Sequence, residues 1–194
     1  MDQPPLNEAK RDLRRTVRER LGSFCGSDRA MAASVIARRV AGLDVFGRAG
    51  AVMAYWALGD EVDLRSAISA GLEAGKTVCL PRMIDGERGL EAVAIEGVAF
   101  EGAAARFGVV EPRAGRVVGM DEIGLVIAPG VAFDRLGGRL GRGKGYYDRF
   151  LAGRPATVTV VGVCFEAQVV EAVPRGAGDE RVDRLVTEAG VREC

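Results

Sequence analysis

Residues 137–148 read Gly-Gly-Arg-Leu-Gly-Arg-Gly-Lys-Gly-Tyr-Tyr-Asp, an order of types that suits a polyphosphate. Glycines at 137, 138, 141, 143 and 145 leave side chains out where a loop must bend sharply or approach a ligand closely. Exposed backbone N–H groups in such a loop, with the start of a helix behind them, form an anion site. Arg139, Arg142 and Lys144 place three cations among those glycines. Asp148 follows within about a turn and is a natural ligand for a hard cation. Two familiar phosphate patterns fail. Gly138–Lys144 fits seven positions of a Walker A loop, but Gly145 stands where Ser or Thr should hold magnesium. The dinucleotide pattern needs G-x-G-x-x-G, and the run reads G-x-G-x-G. A flexible basic loop leading into an ordinary helix would also fit these residues.

The elements that must position this loop are a strand before it and a helix after it. Ile123–Ala128 is apolar and uncharged, the pattern of a fully buried strand. Tyr147, Phe150 and Leu151 recur at helical spacing. Upstream, residues 6–22 predict a helix with Leu6, Leu13, Val17 and Leu21 on its apolar side. Lys10, Arg14 and Arg18 stack on another face at i, i+4 spacing and repel one another unless something neutralises them. Solvent alone is one answer and a bound anion is another. A second helix is expected over 27–42 with Ser27 as N-cap, and a strand over Ala49–Ala57. Glu61 follows that strand, either as a ligand carboxylate at a strand's carboxyl end or as an acid opening a helix over Leu64–Leu72. Further strands are expected over Lys76–Pro81, Ala92–Ile95 at an edge, Thr157–Val163, and Arg184–Thr187 as the last, with a loop over 113–122. Strands alternating with helices predict one α/β domain over 1–194 with a mostly parallel sheet.

Composition narrows the chemistry. There is no histidine, so no His-based triad, ligand or general base is available. Acidic and basic residues balance at 27 each, so no global field draws nucleic acid or an anionic membrane. Lys10, Lys76 and Lys144 are the lysines in a chain that otherwise uses arginine. Cys25, Cys79, Cys164 and Cys194 are scattered and form no C-x-x-C pair, which fits a reducing cytoplasm. No apolar run approaches membrane-spanning length. A monomer is expected.

The run R-L-G-x-G-x-G-Y-Y-D-R-F-L from Arg139, after P-G-x-A-F-D from Pro129, resembles the signature of the 5-formyltetrahydrofolate cyclo-ligase family. Lys10 and Arg14 in K-R-x-L-R, the F-G-x-x-E-P segment from Phe107, and F-x-x-Q from Phe165 resemble other family segments. The resemblance implies a Rossmann-like three-layer α/β/α sandwich, ATP and Mg²⁺ as cofactors, and 5-formyltetrahydrofolate as substrate. Onto this chain it carries nucleotide contacts at Lys10, Arg14, Arg139, Leu140, Gly141, Arg142, Gly143, Lys144, Gly145, Tyr146 and Tyr147. Arg142, Lys144 and Tyr146 would serve catalysis. Trp56, Glu61 and Tyr146 would meet the folate, and Asp148 with Asp183 would hold Mg²⁺. The chain departs from the family with Gly178 in place of a histidine and Leu64 where the pattern after Glu61 tends to threonine. Asp148→Asn and Arg142→Ala are expected to lower turnover far more than stability.

Three other functions remain to be weighed. A paralogue could keep the loop and lose the chemistry. An RNA-binding module could use the basic first helix, although no aromatic-plus-basic segment accompanies it. An α/β sugar-phosphate enzyme could use the loop for a monophosphate.

Overall fold

A computed structural model describes residues 5–84, 89–100, 102–104 and 110–194. Phe107, Gly108 and Val109 of the F-G-x-x-E-P segment lie outside the described residues. The first half of the chain runs α1 (Leu6–Gly22), α2 (Gly26–Ala41), α3 (Asp44–Arg48), β1 (Ala51–Met53), α4 (Arg65–Glu73) and β2 (Thr77–Met83). Then come β3 (Leu90–Ile95), β4 (Gly102–Ala104), β5 (Val110–Pro112), β6 (Val117–Val118), β7 (Leu125–Ala128), β8 (Ala132–Asp134) and β9 (Arg139–Leu140). The chain closes with α5 (Tyr146–Leu151), β10 (Thr159–Val163), a 3-10 turn at Glu166–Gln168, β11 (Val169–Val170), β12 (Arg184–Val186) and β13 (Val191–Glu193).

The main sheet has eight strands in the order β13-β12-β10-β7-β1-β2-β3-β6. Its five central strands, β12 to β2, are parallel, and antiparallel pairs finish both edges. From β1 the chain first moves to β2 on one side and later returns to β7 on the other. The carboxyl ends of β1 and β7 therefore flank a topological switch point, where α/β sheets form a ligand crevice. The loop after β1 carries Trp56 and Glu61, and the loops after β7 lead to the glycine-rich run.

Two apolar clusters pack the two faces of the sheet. One joins Val17, Ile36, Phe46 and Ile68 from α1–α4 to strand residues such as Val52, Leu80 and Ile127. The other joins Met53, Val126 and Val160 to Leu151 of α5. The large, mostly parallel sheet agrees with expectation. The helical cover is lopsided: among the described residues, α5 is the only helix in the second cluster. Six residues cannot hold a helix alone. Leu151, fully buried, anchors it, at a gain of about 1.5–3 kcal/mol for such a side chain.

Several boundaries differ from expectation. Cys25, not Ser27, is the N-cap of α2. At α4 the cap position falls on Leu64, and Asp63 Oδ1 accepts from Arg65 N at 2.9 Å. Asp63 thus satisfies the first backbone N–H of α4, and no side chain caps the helix from position 64. The segment over Ala92–Ile95 is not an edge, because β6 from the expected loop pairs outside it. The last strand is β13, one hairpin beyond Arg184–Thr187.

Asp44 pins α3 to β12. Arg184 Nη1 donates to it at 2.5 Å and Arg48 pairs with it at 2.9 Å. The Arg184 hydrogen bond, with the Val45 N–H, holds its carboxyl at about 2 against an ordinary 3.8. A depressed carboxylate stabilises the fold above its ordinary value and loses that contribution as pH falls through its folded one. Melting curves of the parent and Asp44→Asn should therefore differ near neutral pH and converge between 3.8 and about 2. A difference that persists at the acid end would remove this ion pair as its source.

Candidate active site

The glycine-rich run is built around a buried carboxylate that the sequence reading did not single out. Asp134, 4% exposed, accepts from Leu136 N at 2.9 Å and Gly138 N at 2.8 Å through Oδ1, and from Val173 N at 2.9 Å through Oδ2. It closes the hairpin of β8 and β9. Gly138 is required there, since a Cβ would lie 2.2 Å from Asp134 Oδ2. Gln168, 2% exposed, fastens the preceding turn by donating to Gly130 O at 3.0 Å and Val131 O at 3.1 Å. The F-x-x-Q segment thus braces the loop from behind.

The run then passes in front of α1. Arg14 Nε donates to Gly141 O at 2.8 Å, and Lys10 Nζ pairs with Asp179. Of the stacked basic face of α1, Lys10 and Arg14 are thus engaged by the loops around the crevice, while Arg18 is exposed. Arg14 has its charged form weakened first by burial and then by Arg18, while Asp179 acts the other way. Arg11 and Arg15 pair with Glu8 and Asp12 of their own helix at 3.6 Å and 3.0 Å. Gly145 begins α5 in the left-handed conformation, φ +68.

A cavity of about 460 Å³ lies between this run and the loop after β1. From the run it is lined by Gly141 to Tyr147, together with Arg139 and Asp148. Lys10 and Asp179 reach it from one side, Trp56 and Glu61 from another. Glu61 is 12% exposed in its side chain; it accepts from Leu58 N at 2.9 Å and from Arg142 Nε and Nη2 at 3.2 Å. Burial raises its pKa, while the Leu58 N–H and Arg142 oppose the shift. Arg142 also pairs with Asp60, so this one arginine links the two loops. Half-buried Trp56 meets Phe100 edge-on, centroids 5.0 Å apart, and Tyr146 lies under the Arg149 guanidinium at 5.5 Å. The buried Tyr147 hydroxyl has no partner among the described residues, and burial foremost, then Glu61, raises its pKa.

Three expected assignments are revised by where the side chains lie. Asp183 is not brought to Asp148: its Oδ2 accepts from Val160 N at 2.7 Å and its Oδ1 from Arg154 at 2.9 Å, beside a different cavity. The acid of that loop facing the crevice is Asp179, four residues earlier. Burial works against its charge, but Lys10 and the Gly176 N–H hold its pKa down. Leu140 is core, 2% exposed, and its carbonyl accepts from Val131 N. Arg139 has 2% of its side chain exposed; Nη2 donates to Asp148 Oδ1 at 2.6 Å, and the guanidinium lies 5.6 Å from the Tyr147 ring centroid. Its charge is committed to holding Asp148, which also accepts from Glu180 N at 3.3 Å.

Anion-binding groups therefore converge on one crevice, and Asp148 and Asp179 are the aspartates that line it. Mg²⁺ bound with phosphates needs only one or two protein carboxylates, so the donor set fits it, although no cluster of three or more such ligands exists among the described residues. No helix among those residues is long and apolar enough to cross a membrane.

Comparison with known proteins agrees with this architecture. The family model described as the 5-formyltetrahydrofolate cyclo-ligase family matches residues 6–188. The chain is 31% identical to the 5-formyltetrahydrofolate cyclo-ligase of Mycolicibacterium smegmatis, over 76% of this chain and 77% of that one. It is 25% identical to the Mus musculus enzyme of the same name, over 94% and 95%. The solved structure of Aquifex aeolicus 5,10-methenyltetrahydrofolate synthetase superposes with TM-score 0.81 at 34% identity, covering 95% of this chain and 92% of that one.

Proposed function

The chain belongs to the 5-formyltetrahydrofolate cyclo-ligase family, and from that premise we propose that it converts 5-formyltetrahydrofolate to 5,10-methenyltetrahydrofolate using ATP and Mg²⁺. A formyl oxygen is a poor leaving group. Transfer of the terminal phosphoryl group of ATP to that oxygen, with ADP departing, makes it a good one. N10 then bonds to the formyl carbon as the C–O bond breaks, phosphate leaves, and N10 gives up its proton. Such transfer asks the protein mainly for positioning and charge neutralisation.

The residues supply both. Lys10, Arg14, Arg142 and Lys144, with the N–H groups of the glycine run, bind and orient the phosphates. Asp148 and Asp179 hold Mg²⁺, with Asp148 kept in place by buried Arg139. Trp56 and Tyr146 flank the folate rings, and Glu61 accepts from ring N–H groups. Tyr147 lines the same space, with its hydroxyl buried behind it. No protein nucleophile is needed; Cys79 is buried, its thiol pushed up to about 12 by that burial.

One observation carries the reading: Arg142 of the phosphate-binding run spans the crevice to Asp60 and Glu61 of the folate-facing loop. Two ligands bound there would meet end to end. The test is growth of methenyl-folate absorbance on mixing protein, ATP, Mg²⁺ and 5-formyltetrahydrofolate. Growth that requires all of them is expected. ATP binding without product would favour a paralogue that has lost the chemistry, and stabilisation by a sugar phosphate but not by ATP would overturn the reading.

A further inference from the structure

Asp148 and Asp179 come from different elements, α5 and the segment before β12, so some contact must fix how far apart they stand. Asp148 lies in the first turn of α5, whose far end is anchored by buried Leu151. Asp179 Oδ2 accepts from Gly176 N at 2.6 Å and pairs with Lys10. Under the proposed function Lys10 turns to the phosphates, which removes that tie when nucleotide binds. The next residue, Glu180, is held twice. Its N–H donates to Asp148 Oδ1 at 3.3 Å, and its carboxylate accepts from Arg154 Nη1 at 3.2 Å. Arg154 follows α5, and its Nη2 donates to Asp183 Oδ1 at 2.9 Å. Asp183 is itself fixed to β10, since Val160 N donates to its Oδ2 at 2.7 Å and its own N–H donates to Val160 O at 2.7 Å. One guanidinium therefore joins the end of α5, strand β10 and the residue beside Asp179. Its side chain is 18% exposed, and it lines a cavity of about 450 Å³ together with Glu180 and Asp183. Without it, those two carboxylates would share the cavity as like charges and repel.

We propose that Arg154 is a positioning residue for the metal: by bridging Glu180 and Asp183 it keeps Asp179 where it can share Mg²⁺ with Asp148. It touches neither metal nor substrate and acts through Glu180. The inference rests on the cyclo-ligase reading and on the two aspartates that reading gives to the metal. Groups that orient metal ligands from behind contribute about 10–100-fold to metal affinity. The bridge also gives Asp183 a task that its sequence position alone does not reveal: it is the fixed point from which Arg154 reaches the neighbour of Asp179.

The experiment measures ATP affinity by calorimetry, first without Mg²⁺ and then with it, and no folate is present. The readout is the gain in affinity on adding the metal. In Arg154→Met the gain should shrink about tenfold, the lower end for loss of such a support. ATP affinity without metal should stay at the parent's value. The sign separates the alternatives. Were Arg154 only a nearby positive charge, its removal would strengthen cation binding and enlarge the gain. A general loosening of the fold would weaken ATP binding with and without metal alike. A gain unchanged or enlarged in Arg154→Met, or an equal loss in both conditions, overturns the proposal. Arg154→Lys keeps the charge but cannot span both carboxylates, so it should lose a smaller part of the gain. If Arg154→Met does not fold, Arg154→Lys decides alone, and an undiminished gain in it overturns the proposal. The two readings fail separately. A parent that shows the gain and makes no methenyl product overturns the cyclo-ligase reading, while the Arg154 comparison still decides the positioning role. A parent with no gain from Mg²⁺ overturns the metal assignment and the positioning role together.

Discussion

Asp148→Asn will lower turnover and will also weaken the fold. From the sequence, the acid beside the glycine run stood as a metal ligand whose loss should spare stability. The structure gives it a second task. Its carboxylate neutralises Arg139, whose side chain is 2% exposed. Breaking a buried pair leaves an uncompensated charge, at a cost of about 3–5 kcal/mol. Asparagine keeps the size and one acceptor, so about 3 kcal/mol is expected, or roughly 10 °C in melting temperature for a chain of this length. Turnover should fall about a hundredfold or more through lost positioning of the phosphates and their cation. The two effects separate in a double variant. Arg139→Leu with Asp148→Leu removes both charges together and should recover most of the melting temperature, since apolar replacement of a buried pair is often neutral. It should recover none of the turnover. Full activity in the double variant would remove Asp148 from the chemistry. A melting temperature unchanged in Asp148→Asn would show that Arg139 does not depend on it.

What the sequence made legible was what local chemistry dictates. The apolar run before the glycines, the cations among them, and the amphipathic spacing of α1 each have a short-range signature, and each element stands within a few residues of expectation. What it did not make legible was set by packing. Asp179 and Asp183 are spaced for one face of a helix, but the chain there is not helical. Asp183 bonds to Val160 N beside β10, and Asp179 turns to Lys10. Arg139, Arg142 and Lys144 look alike in a string of letters. Arg139 begins to differ only when β9 pairs with β8 and carries it inward. The brace of Asp134 and Gln168 was hidden for a similar reason, since a buried polar side chain reveals itself by its partners. The P-G-x-A-F-D and F-x-x-Q segments contain both residues, and that was the available signal. The two-residue strand β6 has too little length for a period.

Arg142→Ala should show the largest separation of activity from stability. Its ion pairs are roughly a third exposed on the Arg142 and Asp60 side chains. Screened pairs of that kind contribute about 1 kcal/mol or less, so the melting temperature should shift by no more than about 4 °C. Turnover should fall about a thousandfold, the lower range for an arginine that neutralises charge in phosphoryl transfer. Absorbance growth beside a melting curve measures both, and parent-like turnover would strike Arg142 from the mechanism. The pairing also predicts coupling between the ligands. Phosphates must draw Arg142 from Asp60 and Glu61, so Asp60→Asn, which removes a competitor, should lower KM for ATP several-fold. Once drawn away, Arg142 no longer opposes the burial that raises the Glu61 pKa. Glu61 then takes a proton at higher pH unless substrate N–H groups hold it ionised. The sign follows for pH profiles: folate binding weakens as pH falls through the Glu61 pKa, and in Arg142→Ala that acid limb should move to higher pH. Measured without ATP, where Arg142 still contacts Glu61, an acid limb unmoved by Arg142→Ala, or moved downward, would show that Arg142 does not hold Glu61 ionised.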